Sequence, residues 1–331
     1  MSRVIIIGAG PSGIAAASRL IQNGFDVTIF EAENQIGGRI CSFQMGEYMA
    51  DLGAEWVHGE KDNVAFELAW PLGLLERTYE NKEFNSSGIF VGSGGKIISE
   101  QVAAPLINEY FRSHPEISTD KHKPLMESLN SAQMIMDGAK NWHEVSAKGS
   151  KTTQTKKYPN PKEELPVRSK TKLNSKISRI DYSKSPIKPQ RRWMLGLTSS
   201  MRIEHRPKMM VFWVTGCYVH EMESIDEKLF QEQVKQVINK FFGKTHKLSE
   251  PNIIKRSLWN TNENFLGTQS FRPVKADFVD AHIEDLAAPI EVNNKPTILF
   301  AGEATSLHYS TVNGAIESGW READRLINYY K

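Results

Sequence analysis

Two glycine-rich turns near the N-terminus carry the residues best suited to chemistry. They read Gly8-Ala9-Gly10-Pro11-Ser12-Gly13 and Gly37-Gly38-Arg39. Gly8 permits a tight turn, Gly10 lets the backbone approach a pyrophosphate, and Gly13 lets a helix lie close to its strand. Glu31 follows Gly13 by about 18 residues, a spacing at which an acid accepts hydrogen bonds from ribose hydroxyls. The combination predicts a dinucleotide site, and a chance glycine turn is the alternative.

The elements around these turns predict a βαβ unit. Val4–Ile7 reads as a buried strand, and Val27–Phe30 reads as a second strand that ends at Glu31. Between them, Ala15, Ala16, Leu20 and Ile21 give a helix its apolar face. The free amides at the start of that helix, together with the helix dipole, favour a phosphate. We therefore expect an α/β, Rossmann-like nucleotide-binding fold.

A C-terminal motif bears on which dinucleotide is bound. Residues 298–301 form an apolar run that ends at Gly302 and Glu303. We expect this run to return to the nucleotide sheet as a strand, with Glu303 at the carboxyl end where such sheets bind ligands. Large flavin-binding folds need such a return because the second half of FAD crosses the sheet. The motif therefore favours FAD, and an NAD-binding domain is the alternative.

Composition places the chain among ordinary globular proteins. It has 331 residues, of which 40% are apolar and 24% charged, and it contains no run of about 18 apolar residues that would span a membrane. The first strand begins at once, so we expect no signal peptide. The two cysteines, Cys41 and Cys217, provide neither a disulfide framework nor metal-ligand spacing. We expect no metal and a reducing, cytoplasmic location.

Charge is distributed unevenly along the chain. Residues 140–192 hold 15 Lys or Arg against 4 acids, so the remainder is acidic although the whole chain is +2. The basic stretch Lys148–Lys157 is either a solvated linker or a nucleic-acid contact, and the absence of an aromatic platform favours the linker. We therefore expect no nucleic-acid partner. The acidic remainder attracts cationic ligands over long range.

The rest of the pattern predicts interleaved segments. Apolar residues at helical spacing make residues 89–147 mostly helical, and amphipathic helices are expected at Asp226–Phe242 and Val312–Tyr330. Further strands are expected at Ile177–Tyr182, Trp193–Leu197, Met209–Val214 and Ile253–Trp259. We assign 1–88, 177–183 and 293–331 to a cofactor-binding domain. Segments 89–176 and 190–292 are then assigned to a substrate domain.

The motifs together resemble the flavin-containing amine oxidases, and among them the polyamine oxidases. The resemblance covers both ends of the chain, with looser patches between. Beyond the two glycine turns it rests on Leu52–Gly59, Phe300–Thr305, Tyr309–Val312 and Ser318–Ala323. It implies a GR2-type FAD-binding domain with an interleaved, truncated α+β substrate domain.

The resemblance also implies roles for individual residues. FAD is expected to bind non-covalently, because neither cysteine falls where some amine oxidases attach it. Glu31, followed by Ala32, would hold the adenosine ribose, and Arg39 would lie near the pyrophosphate. The other implied positions are Gly53, Ala54, Glu55, Trp56 and Val57 along the flavin ring, Gly302 and Glu303 at the ribityl or phosphate end, Thr311 and Val312 beneath the isoalloxazine, and His58 facing the substrate amine.

The implied reaction oxidises a polyamine (spermine, spermidine or an acetylated form). A hydride equivalent leaves the carbon beside an amine nitrogen for the flavin, the imine hydrolyses to amine and aldehyde, and oxygen becomes hydrogen peroxide. The chain departs from the family after Ile177–Ser183, where the segment with the family's lysine is missing, so no catalytic residue is assigned. Asn313 replaces the usual histidine, and Gln269 an aromatic residue. The alternative is a non-catalytic truncated homologue or splice variant that retains FAD binding. The oligomeric state does not follow from the sequence.

Overall fold

The computed structural model of the chain describes residues 2–77, 89–91, 97–99, 101, 175–177, 188–203, 206, 208–243 and 246–330. Two compact units divide the chain. The first contains residues 1–77, 143–168 and 264–331, and the second contains 78–142 and 169–263. The predicted division into cofactor and substrate domains stays a prediction. Residues 264–292, which it assigned to the substrate segments, lie in the first compact unit, and the Thr268 carbonyl accepts from Arg39 Nη1 of the second glycine turn.

The first unit begins with the expected βαβ arrangement. Strand β1 (Arg3–Ile7) pairs in parallel with β2 (Asp26–Phe30), in a register that sets Arg3 opposite Asp26. Helix α1 (Pro11–Gln22) joins them, with Gly10 as its N-cap residue. Gly8 has a φ of +100°, and a β-carbon on Gly13 would lie 2.1 Å from the Gly8 carbonyl oxygen. Both glycines are therefore required by the backbone path.

The long C-terminal helix covers one face of this sheet. Helix α7 (Val312–Tyr330) packs against α1 so closely that a β-carbon on Gly319 would lie 2.1 Å from the Ser12 carbonyl oxygen. The core between helices and strands is made of fully and partly buried apolar side chains from both ends of the chain: Ala16, Leu20, Ala323, Leu326 and Ile327, with Val4, Ile6, Phe25, Val27 and Leu299.

The opposite face of the same sheet is open, which corrects the prediction of a fully buried strand. Ile7 is 90% exposed and Ile5 60% exposed, and Phe30 on β2 is 58% exposed. Side chains alternate between faces along a strand. The run Val4–Ile7 therefore places Ile6 in the core and its two isoleucine neighbours on the outside.

The remaining elements of the first unit are short. A hairpin joins β3 (Ser42–Met45) to β4 (Tyr48–Asp51), and α2 (Val64–Ala69) continues into the 3₁₀ helix Trp70–Leu72. Before α7 come four short elements and a 3₁₀ turn: α5 (Val274–Phe278), α6 (Ile283–Leu286), β10 (Ile290–Val292), β11 (Lys295–Ile298) and Glu303–Thr305.

The sequence predicted that the C-terminal apolar run joins the β1–β2 sheet as a strand, and this prediction is wrong. Strand β11 does not pair with β1 or β2. It pairs with β10 in a separate antiparallel ladder. Leu299, just after β11, nevertheless packs against the core beneath β1 and β2. Apolar burial thus brings the C-terminal segment to the sheet without adding a hydrogen-bonded strand among the described residues.

The second unit contains a five-stranded sheet. Its strands are β5 (Ile89–Val91), β6 (Ile97–Ile98), β7 (Ser175–Ile177), β8 (Leu197–Arg202) and β9 (Met210–Val214). They lie in the order β6-β5-β7-β8-β9, in which β5 and β7 pair in parallel and the other neighbouring pairs are antiparallel.

Helices α3 (Val219–Ser224) and α4 (Glu227–Phe241) belong to the second unit. Asp226 caps α4 by accepting from the Leu229 amide, as the predicted boundary requires. The apolar side of α4, including Phe230, Val237 and Phe241, packs on Trp193.

Two predicted strands of the second unit are wrong. Trp193–Leu197 is mostly part of a 3₁₀ helix (Pro189–Gly196), which turns Trp193 inward so that its indole donates to Gln233 Oε1 at 2.6 Å. Residues 253–259 run without strand pairing. The helical prediction for 89–147 is wrong at its start, where Ile89–Val91 and Ile97–Ile98 form strands. Nearly all the rest of 89–147, the basic stretch Lys148–Lys157 and most of Ile177–Tyr182 lie outside the described residues. None of the helices in the described ranges is both long and apolar enough to cross a bilayer.

Candidate functional site

The two glycine turns lie against each other at the carboxyl end of β1. The Gly37 amide donates to the Ala9 carbonyl at 2.9 Å, and a β-carbon on Gly38 would lie 3.5 Å from the Gly10 α-carbon. A β-carbon on Gly10 would meet nothing within 4 Å. The turns therefore border open space at the start of α1.

This open space faces the start of a helix. The first intrahelical donor at this end is the Ile14 amide, which bonds the Gly10 carbonyl at 3.0 Å. The amides of Ser12 and Gly13 precede it, and Pro11 has no amide hydrogen to satisfy. Such an arrangement suits a phosphate group.

Glu31 ties the end of β2 to the first turn. One carboxylate oxygen accepts from the Ala9 amide at 2.6 Å, and the other accepts from the Glu33 amide at 2.8 Å. The amides of Glu33 and Ala9 hold the pKa of this carboxyl below its ordinary value of 4.5. The Ala32 amide lowers the pKa as well, so the group is a carboxylate at neutral pH, and its four lone pairs leave acceptor capacity for an outside donor.

Arg39 reaches from the second turn to the C-terminal motif. Its Nη1 donates to Glu303 Oε1 at 2.8 Å and to the Thr268 carbonyl at 3.0 Å. The Arg39 side chain is 37% exposed, whereas Glu303 is only 8% exposed. Among the described residues the side-chain hydrogen bonds of Arg39 come from Nη1, so Nε and Nη2 remain as donors for an anion.

Glu303 is the hub of a wider network. Its Oε1 also accepts from the Ser270 amide at 3.2 Å and the Ser270 hydroxyl at 2.8 Å, and its Oε2 accepts from the Ser310 amide at 2.6 Å. The Ser310 hydroxyl donates in turn to the Ser270 carbonyl. Sequence reasoning placed Glu303 as a cofactor ligand and missed Thr268, Ser270 and Ser310. Ser310 lies in the Tyr309–Val312 motif but was given no role, whereas no motif marks Thr268 and Ser270, whose partners Arg39 and Glu303 lie 229 and 33 residues away.

Residues 53–54 pack against the backbone of the same arginine. The Ala54 amide donates to the Arg39 carbonyl at 3.0 Å, and a β-carbon on Gly53 would lie 1.8 Å from that oxygen. The chain then continues through Glu55 to Trp56, Val57 and His58. Gly53 is thus required for the segment to pass this close.

A pocket brings together residues that the sequence placed at the flavin ring and at the substrate. Trp56, Val57 and His58 line it from one side, and Thr311 and Val312 line it from the other. The remaining wall residues are Lys61, Asp62, Asn63, Ala65, His308 and Asn313. The sequence predicted none of them as a site residue, and it named Asn313 only as a departure from the family pattern. Residues about 250 apart in sequence therefore share one cavity.

The pocket wall is held by side-chain caps. Thr311 Oγ1 accepts from the Gly314 amide at 2.9 Å at the start of α7, and Asn63 Oδ1 accepts from the Ala65 and Phe66 amides at the start of α2. Asn313 Oδ1 accepts from the Val64 amide at 2.8 Å and so joins the two helix starts. Within the described ranges no three His, Cys, Asp or Glu side chains are grouped to hold a metal ion.

The family model for flavin containing amine oxidoreductases matches residues 11–95 and 190–327. The chain belongs to this family. The match includes α1, the second glycine turn and the pocket segments, and it omits residues 96–189.

The curated relatives that the chain matches include polyamine oxidases. Polyamine oxidase 1 of Oryza sativa subsp. japonica is 33% identical over 124 residues, which cover 34% of this chain and 24% of the relative. The peroxisomal N(1)-acetyl-spermine/spermidine oxidase of Bos taurus is 33% identical over 122 residues, covering 36% and 23%. The matched segments thus span about a quarter of the length of these relatives.

Solved structures support the same fold. A triple mutant of putrescine oxidase superposes with a TM-score of 0.60 at 15% identity, over 99% of both chains. The wild-type putrescine oxidase bound to putrescine gives 0.57 at 14% identity, also over 99% of both chains. The fold class is therefore that of the FAD-binding amine oxidases, as expected from the sequence.

FAD is the cofactor of this family, and the residues present fit it. The open space at Gly10 leaves room for a pyrophosphate at the helix amides, Arg39 has further donors for an anion, and the Glu31 carboxylate can accept from ribose hydroxyls. At the C-terminal motif, the Gly302 amide donates to Ser318 Oγ at 2.9 Å and positions the turn before Glu303. The assignment of single residues to single cofactor atoms stays a prediction.

Proposed function

We propose that this chain is an FAD-dependent amine oxidase that oxidises polyamines, namely spermine, spermidine or their acetylated forms. The observation that carries the proposal is the pocket where Trp56, Val57 and His58 meet Thr311 and Val312. A flavin-facing wall and a substrate-facing histidine in one cavity are what amine oxidation requires. Family membership supports the same reaction class.

The proposed roles follow from the geometry. FAD, when bound, supplies the hydride acceptor for this chemistry. The turns at Gly10 and Gly38 hold its pyrophosphate with Arg39, and Glu31 holds the adenosine ribose. Glu303 orients Arg39 and the Ser270 segment, and the turn at Gly302 and Glu303 would bind the ribityl or phosphate end. His58 contacts the substrate amine beside Asp62, whose carboxylate attracts a cation.

The substrate class rests on charge and on relatives. Residues outside 140–192 carry an excess of acids, and Asp62 lines the pocket. Such a field raises the local concentration of a polycation. The names of the matched relatives include polyamine and N(1)-acetyl-spermine/spermidine oxidases. We also propose a reducing, cytoplasmic location, because Cys41 and Cys217 are both free thiols in the structure.

The test is a spectrum followed by an assay on the purified full chain. We expect flavin absorption that is released on denaturation, which indicates a non-covalent cofactor. We then expect the flavin to bleach anaerobically with spermine, spermidine or N1-acetylspermine, and oxygen to restore it with formation of peroxide. Flavin that stays oxidised with all three amines, and with putrescine as a fourth, contradicts the proposal.

A second candidate function is a non-catalytic homologue that binds FAD. The observation in its favour is the open face of the β1–β2 sheet, where Ile5, Ile7 and Phe30 are exposed. The interrupted match between residues 95 and 190 agrees with it. This candidate predicts bound flavin without amine-dependent bleaching, so the same assay separates the two.

A further inference from the structure

A histidine and a carboxylate form a pair in the pocket wall that no cofactor role uses. His308 Nδ1 lies 2.5 Å from Glu317 Oε2, and the two side chains are 27% and 30% exposed. His308 lines the pocket beside Thr311 and Val312. Glu317 lies on the second turn of α7 and is not one of the wall residues. His308 therefore belongs to the cavity where we place the substrate, and Glu317 is its hydrogen-bond partner.

The structure holds both members of the pair in place. Glu317 Oε1 accepts from Asn313 Nδ2 at 3.3 Å, and Asn313 is itself fixed by the Val64 amide. The His308 amide donates to Ser306 Oγ at 3.1 Å, and its carbonyl accepts from Thr311 Oγ1 at 2.5 Å. Both the amide and the carbonyl of His308 are therefore hydrogen-bonded, which holds the backbone that carries the imidazole.

A carboxylate at Nδ1 determines what such an imidazole can do. It keeps a proton on Nδ1, makes Nε2 the basic nitrogen and stabilises the imidazolium that forms when Nε2 is protonated. A base oriented by a third group in this way is the usual arrangement for proton transfer in active sites.

Amine oxidation creates a need for such a base. Aliphatic amines have pKa values of about 10, so a polyamine reaches the pocket as an ammonium ion at neutral pH. A hydride leaves the carbon beside nitrogen only when that nitrogen has a free electron pair. One proton must therefore leave the reacting ammonium before oxidation.

We propose that His308 is the catalytic base that removes this proton, and that Glu317 is its positioning residue. The ammonium N–H bond breaks, its electron pair remains on the substrate nitrogen, and a new N–H bond forms at His308 Nε2. The inference rests on the proposed amine oxidase function and adds a proton acceptor to it. The other titratable side chains that line the pocket are His58, Lys61 and Asp62.

The test measures anaerobic bleaching of the bound flavin by spermine between pH 6 and 10. In His308→Asn we expect a rate about 100-fold lower at pH 7, since a positioned base contributes roughly 10² to 10⁴ in rate. The deficit should shrink as pH rises and vanish near pH 10, where the free amine no longer needs a base. Glu317→Gln should lose about tenfold at pH 7, because the imidazolium loses its anion.

A matched control removes another histidine–carboxylate pair of the same unit. His282 Nε2 lies 3.4 Å from Asp280 Oδ1 on the surface, so His282→Asn should leave the rate and its pH dependence unchanged. Flavin content, measured on every variant, shows whether the cofactor domain is folded. If His308→Asn does not retain flavin, His308→Gln provides the same comparison.

The outcomes separate the two levels of the proposal. Wild-type flavin that no amine bleaches overturns the proposed function. Wild-type bleaching with an unchanged pH profile in the His308 variants overturns the assignment of His308 and leaves the oxidase function intact. A loss that appears instead in His58→Asn, with recovery at high pH, assigns the base to His58 and also overturns this inference.

Discussion

The two faces of the β1–β2 sheet contain similar residues but have different surroundings. On one face, Ile6 packs under α1 and α7 with Leu20 and Leu326. On the other, Ile5 and Ile7 are more than half exposed. The covered face is buried by α1, which follows β1 directly, and by α7 at the other end of the chain. An apolar run in the sequence therefore predicts that a strand is buried, but it does not determine which face is covered or which segment covers it.

The largest expected effect lies on the covered face. Leu20→Ala should lower the free energy of unfolding by about 2 to 5 kcal/mol, because a fully buried side chain leaves a cavity between two helices and the sheet. Urea denaturation followed by circular dichroism measures the change. Ile7→Ala on the open face is the control and should change stability by less than about 0.5 kcal/mol. Equal losses in the two variants would mean that both faces are buried in solution.

The helix contact that creates the covered face should be nearly as sensitive. In Gly319→Ala the new methyl group meets the Ser12 backbone, so we expect a loss of about 1 to 3 kcal/mol and a lower flavin content. Asn328→Ala, at an exposed position of α7, is the control. A stable Gly319→Ala protein with full flavin would contradict the close approach of α1 and α7.

Strand β11 and residues 193–197 show why sequence reasoning goes only part of the way. The βαβ unit, α4 and α7 follow from local signals, namely glycine spacing, helical periodicity and a capping aspartate. The pairing of β11 with β10 and the inward turn of Trp193 depend on partners elsewhere in the chain. The candidate site divides similarly, because the glycines and Glu31 are marked by a motif, whereas Thr268 and Ser270 are recognised only from their hydrogen bonds to Arg39 and Glu303.

On the open face, a charged substitution should change self-association, whereas truncating a side chain there should leave stability nearly unchanged. Ile5→Lys should reduce self-association of the native protein at high concentration, since exposed apolar surface on a sheet promotes it. Light scattering at several protein concentrations measures this. The neighbouring change Ile6→Lys points into the core and should instead unfold the first unit. Unchanged scattering in Ile5→Lys would show that this face does not drive association.

The smallest effect on stability is expected at Glu31, which directly follows β2. Its pKa is below 4.5 in the folded chain, so its carboxylate contributes stability above pH 4.5 that is lost as pH falls through the lowered value. Glu31→Gln should therefore be slightly less stable than wild type at pH 7 and equal to it at the lowest pH where both fold. Thermal unfolding at pH 7, 5 and 3 compares them, with Glu291→Gln on an exposed strand as control.

The contact between Arg39 and Glu303 has a consequence for how the protein is made. A ribosome synthesises the glycine turns first, and some 260 residues follow before Glu303 and the Gly319 helix exist. Contacts between segments so distant in sequence form late, after the local elements. The nascent chain therefore exposes the glycine turns, and the part of the β1–β2 sheet that α7 covers, until the C-terminal helix has emerged.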